Sequence, residues 1–98
     1  NGGIKQAFRG WQDFVAKHGD EPPLMEGITN AQLFFIGFAQ TWCQVSKPER
    51  QKLLAQVNPH SSPRFRVNGP LANFPEFAKS FSCQDGSKMK PASPCTVW

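Results

Sequence analysis

The 98-residue sequence contains no Cys-x-x-Cys or Cys-x-x-x-Cys pair, and its two histidines, His18 and His60, stand far apart, so a zinc-finger ligand set is a weak reading. It has no basic block either. The eleven Lys and Arg residues are scattered from Lys5 to Lys90, so the formal charge of +4 reads as solvated faces rather than a nucleic-acid surface. No charged and then apolar leader opens the chain, and the longest apolar run, Leu33-Phe34-Phe35-Ile36-Gly37-Phe38-Ala39, is far short of the ~20 residues a membrane helix needs. Targeting information is therefore expected upstream of this chain or not at all. Asn1, Asn30, Asn58, Asn68 and Asn73 all lack Ser or Thr two positions on, which removes the N-linked glycan acceptor from this segment. No internal repeat and no convincing strand pair are visible.

What is present suits one modest core. Hydrophobic residues make up 39% of the chain and aromatics 12%, enough for a single globular unit whose stability is marginal without support. The three cysteines, Cys43, Cys83 and Cys95, are an odd set, which leaves at least one thiol without an internal partner. Cys43 lies in an apolar helical run, where a buried free thiol is as good a reading as a disulfide. Cys83 and Cys95 flank a stretch rich in Gly, Ser, Pro and Lys that packing alone would order poorly, so disulfides are expected there.

Hydrophobic periodicity predicts a mainly α-helical chain with an irregular tail. Ile4, Ala7, Phe8, Trp11, Phe14 and Val15 recur at helical spacing, with Lys5, Arg9, Asp13 and Lys17 mainly opposite, which gives an amphipathic helix ending near Lys17. Asn1-Gly2-Gly3 is a poor opening turn, because each glycine costs about 1 kcal/mol relative to alanine; the helix starts near Ile4 or enters from residues before it. His18 before Gly19 reads as a helix-end cation and cap. Residues 20–27, with Pro22 and Pro23, form a connector. Thr29 and Gln32 make a capping box for a second helix whose apolar residues, from Leu33 through Trp42, Cys43 and Val45, lie on almost all sides, so it should be buried between other elements. Lys47-Pro48-Glu49 opens a short helix through Leu53, Leu54 and Val57 that stops before Pro59. Asn73 with Glu76 suggests a cap for a last short helix carrying Phe74, Phe77 and Phe81. Residues from Gln84 to Trp98 read as irregular.

The stretch Asn58-Pro59-His60-Ser61-Ser62-Pro63-Arg64-Phe65-Arg66 concentrates binding chemistry in a turn-rich, proline-bracketed segment. An imidazole can donate to a developing oxyanion, and a guanidinium can fork onto a carbonyl or carboxylate. Neither cuts a bond alone, and no nucleophile or carboxylate pair lies nearby in sequence. Residue chemistry by itself explains His60 equally well as a polar loop histidine.

The phrase from Asn30-Ala31-Gln32-Leu33-Phe34-Phe35-Ile36-Gly37-Phe38-Ala39-Gln40-Thr41-Trp42-Cys43, then Pro59-His60-Ser61, Arg64-Phe65-Arg66-Val67 and the ending Cys95-Thr96-Val97-Trp98, resembles the C-terminal part of the neprilysin and endothelin-converting-enzyme family of zinc metallopeptidases. The likeness runs from Asn1-Gly2-Gly3 to Trp98. In that family a helix with His-Glu-x-x-His and a later helix with Glu-x-x-x-Asp hold zinc, and Asn-Gly-Gly follows the latter at once. The resemblance therefore implies that residues 1–98 are the C-terminal fragment of one zincin-type catalytic domain, with every zinc ligand and the general-base glutamate upstream. It also implies that a helix already nucleated upstream runs into the first one here.

By the same resemblance, His60 matches the histidine that donates to the tetrahedral oxyanion formed when zinc-activated water attacks the scissile carbonyl, and Arg66 matches the arginine that binds a substrate backbone carbonyl. Asn58 stands where the family usually has Asp. Its oxygen is expected to orient the His60 ring without the full charge effect, which implies lower activity or an altered pH profile. Ser61-Ser62-Pro63 also departs from the usual His-Ser-Pro order. Cys43, Cys83 and Cys95 resemble family positions that pair with cysteines outside this segment; an internal Cys83–Cys95 pair is the alternative that loop length allows. The implied whole is an extracellular, membrane-anchored or secreted endopeptidase acting on small peptides, with any anchor upstream and this fragment inactive alone. The alternative is a truncated or inactive homologue that keeps Arg66 and a groove as a non-catalytic peptide-binding module.

Overall fold

A 17-residue amphipathic helix, α1 (Gly2–His18), opens the structured chain. The computed structural model describes residues 2–96. Asn1 of the expected opening and Val97 and Trp98 of the expected tail lie outside the described residues. The helix already includes Gly2 and Gly3, and along its first turns Gly2, Ile4, Lys5 and Phe8 are buried while Gly3, Gln6 and Ala7 are exposed. Lys5 was expected on the polar face. It is buried instead together with Ile4 and Phe8, its long aliphatic stem available for packing. At the far end Gly19 adopts a left-handed φ of 82° and donates its N–H to the Val15 carbonyl at 2.8 Å, which closes the helix as expected. His18 packs on Phe14, with ring centroids 4.6 Å apart.

The connector turns at an isolated bridge between Met25 and Ile28 and leads into α2 (Asn30–Gln40). The expected capping box is formed. Thr29 Oγ1 accepts the Gln32 N–H at 3.1 Å and Gln32 Oε1 accepts the Thr29 N–H at 3.0 Å. Gln32 also donates from Nε2 to the Ser80 carbonyl at 2.9 Å, so one side chain both caps α2 and ties it to a distant segment. The helix is shorter than the apolar run suggested. It ends at Gln40, Thr41 Oγ1 donates to the Phe38 carbonyl at 2.8 Å, and Trp42 and Cys43 follow in a tight turn. Val45, counted among the buried apolar residues of this helix, is fully exposed.

Helix α3 (Pro48–Val57) starts on Pro48 and stops at Asn58, as expected, but buries none of its residues. Next comes α4 (Pro63–Ala72), which begins within the stretch read as turn-rich and runs on past Arg66. Pro63 explains its start, because proline suits the first turn where its missing N–H is not needed. Pro70 conceals it, because that residue has no N–H to give the carbonyl of Arg66 one turn back. The last helix, α5 (Pro75–Ser80), is capped by Phe74 without a side-chain bond. Asn73 is not its cap. As the last residue of the α4 turn it donates back to the Gly69 carbonyl at 3.0 Å and accepts the Cys95 N–H at 2.7 Å, which pins the irregular tail to the helices.

The core is an aromatic cluster where α1, α2 and α5 meet. Phe35 is 1% exposed and stacks on Phe8 at 5.0 Å, with Phe34, Phe74 and Phe77 edge-on around it at 5.5, 5.7 and 5.4 Å. Ile4 and Leu71 complete the buried set. The remainder is open. The accessible surface of 7660 Å² exceeds the roughly 5,600 Å² that surface scaling gives a compact monomer of 10.9 kDa. The radius of gyration, 15.6 Å, likewise exceeds the roughly 13 Å of a compact 100-residue domain. Among the described residues the fold is mainly α, with no strand.

Candidate functional site

The candidate site lies where the end of α2 faces the start of α4, alongside the first turns of α1. Trp42 is delivered there by the turn after α2, its backbone N–H held by the Ala39 carbonyl at 3.1 Å. Arg66 stands on the first turn of α4, its N–H donating to the Ser62 carbonyl at 3.0 Å. The two meet across the gap, with Arg66 Cζ 3.9 Å from the Trp42 ring centroid. Both are half-buried, and with Ile4, Phe38, Ser61, Phe65 and Pro70 they line an open groove of about 610 Å³.

Three features define what this groove can do. Its lining is largely apolar, so it accepts hydrocarbon surface. One wall carries a fixed guanidinium, and no carboxylate pairs with Arg66 among the described residues, so its N–H donors remain available for a carbonyl or carboxylate. The groove is also open, so a chain can lie along it.

His60 is exposed and does not itself line the groove, but it precedes the groove-lining Ser61 in the chain. Its position is set by Asn58, whose Oδ1 accepts the His60 backbone N–H at 3.0 Å. This is a side-chain turn of the Asx type, in which a short amide side chain satisfies the backbone two residues on. Asn58 therefore orders the loop through the amide of His60 rather than through its ring. The structure thus brings Arg66 into the groove, leaves His60 exposed next in sequence to a groove-lining residue and adds Trp42, which the sequence reading had placed inside a buried helix.

The cysteines are all unpaired within the chain: Cys43 and Cys95 are exposed and Cys83 is half-buried. The internal Cys83–Cys95 pair is not formed. Among the described residues no three His, Cys, Asp or Glu side chains converge on a point that could hold a metal ion. No described helix is long and apolar enough to cross a membrane.

Comparison with known proteins places the chain in a family. The model of Peptidase family M13 matches residues 1–97, and the chain belongs to that family. Over 99 residues it is 50% identical to endothelin-converting enzyme 1 of Homo sapiens, covering 100% of this chain and 13% of that protein. It is 48% identical over 101 residues to neprilysin-1 of Caenorhabditis elegans, again with 100% and 13% coverage. An endothelin-converting enzyme homolog of Locusta migratoria is 43% identical over 99 residues, with coverage of 100% and 14%. The chain thus spans only about an eighth of the length of the relatives it matches.

Proposed function

We propose that the chain is the C-terminal segment of a zinc-dependent metalloendopeptidase catalytic domain that hydrolyses small extracellular peptides, and that it supplies the oxyanion-directed donor His60 and the substrate-binding Arg66. The observation that carries this reading is the family match over residues 1–97 together with an arginine-walled groove open to a peptide. An enzyme must hold its substrate backbone in register with the reacting atoms, and a forked donor on a carbonyl does so without reading the side chain. His60, exposed on an ordered loop next to the groove-lining Ser61, would donate to the oxygen that becomes negative as the scissile carbonyl turns tetrahedral. A donor of this kind contributes on the order of 3 kcal/mol to the barrier.

The described residues do not fit zinc, so its ligands belong to the rest of the polypeptide and no step here runs through the metal. The surplus surface supports the same division, since roughly 2,000 Å² beyond a compact monomer is what a segment covered by the remainder of its domain would show. Leu24, Val45, Leu53 and Val57 are among its exposed apolar residues. Cys43, Cys83 and Cys95 would pair with cysteines outside the chain, in keeping with an extracellular setting and an anchor, if any, elsewhere in the polypeptide.

The isolated chain should be inert. The purified 98-residue polypeptide with added zinc is expected not to cleave a fluorogenic peptide; turnover that His60→Ala abolishes would overturn the proposal. Saturable peptide binding without zinc, lost in Arg66→Ala, together with a native polypeptide that shows no hydrolysis, would instead favour a non-catalytic peptide-binding module.

A further inference from the structure

We propose that Trp42 is a positioning residue for Arg66: its indole face sets where the guanidinium points into the groove, and so sets the register of the bound peptide. The inference rests on the substrate-binding reading of Arg66 and adds to it a residue that acts through the arginine. An arginine side chain has four rotatable bonds and large rotamer freedom, so an unrestrained one on a groove wall would lose much of its binding energy to ordering. Something must hold it.

Among the described residues no carboxylate does so. The Trp42 ring does, with Cζ 3.9 Å from its centroid, well inside the roughly 6 Å reach of a cation over an aromatic face. Restraint by a ring face has a chemical advantage over restraint by a carboxylate. It leaves the charged N–H donors unspent, so they are presented to the substrate instead of being satisfied in advance.

The ring itself is well fixed. Thr41, Trp42 and Cys43 all donate backbone N–H groups to carbonyls in the last turn of α2, at 3.3, 3.1 and 3.1 Å. Indole Nε1 is buried without a hydrogen-bond partner, so packing rather than a polar tether orients the plane. The contact also joins the two ends of the excursion that contains α3. That helix buries no residue of its own, so the Trp42–Arg66 clasp closes the neck of a segment with little other anchorage.

The test uses the native polypeptide that carries this chain, with an internally quenched peptide substrate, and compares Trp42→Phe, Trp42→Leu, Arg66→Ala and the Trp42→Leu/Arg66→Ala double variant. Trp42→Leu should raise KM roughly tenfold, and by more than it lowers kcat, the loss expected when a partly desolvated cation–π contact is removed. Trp42→Phe, which keeps an aromatic face of lesser strength, should lie between wild type and Trp42→Leu, and serves as the readout if the leucine variant folds poorly. In the Arg66→Ala background Trp42→Leu should add no more than about twofold, because a residue acting through another has nothing left to act on. Single losses that multiply in the double variant would overturn the inference, as would an unchanged KM in Trp42→Leu alongside a raised KM in Arg66→Ala. An unchanged KM in Arg66→Ala itself would overturn the substrate-binding reading, and this inference with it.

Discussion

Phe35→Ala should remove most of the stability of this chain, and the size of the loss follows from its surroundings. The ring is 1% exposed and has Phe8, Phe34, Phe74 and Phe77 within 5.7 Å, centroid to centroid, with Phe81 at 6.5 Å. Truncating a buried phenylalanine typically costs about 3–5 kcal/mol in lost transfer energy and residual cavity. Here the upper half of that range applies, because five ring contacts vanish together and rings held in place on separate helices cannot all collapse into one void. A chain of this size has about 5–15 kcal/mol in total, and its surplus surface places it toward the low end. Leu53→Ala provides the contrast. Leu53 is 57% exposed on α3, so its loss should stay within about 0.5 kcal/mol. Urea unfolding of the two variants and the parent chain, followed by far-UV circular dichroism, reads both numbers from the midpoints and slopes. An unshifted midpoint for Phe35→Ala, or a Leu53→Ala loss of equal size, would refute this placement of the core.

Three further outcomes are expected. Thr29→Ala should cost about 1 kcal/mol by the same assay while Thr29→Ser costs far less, because only the hydroxyl on the Gln32 amide is at stake. Lys90 holds the Asp85 carboxyl below its ordinary range, chiefly by a side-chain hydrogen bond at 2.7 Å and then by its charge. The Asp85 contribution is therefore present at neutral pH and lost as pH falls through the lowered value, and an NMR titration should show Asp85 moving back up in Lys90→Met. Because Asp85 is exposed, the same variant should leave thermal unfolding at neutral pH almost unchanged. In the native polypeptide, Cys43, Cys83 and Cys95 should all resist maleimide until a reductant is added, whereas in the isolated chain none should be joined to another. A Cys83–Cys95 linked peptide after digestion of the native protein would contradict the external pairing.

Much of the local structure could be read directly, because its signals are short-range. The Thr29–Gln32 box, the proline start of α3 and the glycine end of α1 each involve residues within four positions of one another. What escaped was decided by contacts far apart in sequence or by residues with two meanings. Pro63 reads as loop punctuation, yet it starts α4, and a second proline, Pro70, sits inside that helix. Asn73 has the composition of an N-cap, but its side chain serves Gly69 and the distant Cys95. The apolar run through Val45 predicts a longer α2, and no periodicity could show that Trp42 leaves the helix to meet Arg66. For the site, resemblance pointed to His60 and Arg66, while residue chemistry alone left His60 a plain loop histidine. The resemblance gives Asn58 a role at the His60 ring; the bond the structure shows is to the His60 backbone N–H, a local turn that an Asn two residues before an amide closes readily.

The most direct test of the proposed role is the kcat of His60→Ala in the native polypeptide, measured on an internally quenched peptide alongside its zinc content. The proposed oxyanion donor predicts a fall of roughly 100-fold or more with zinc retained at wild-type stoichiometry. An unchanged kcat with zinc in place would contradict it and leave His60 an ordinary surface residue.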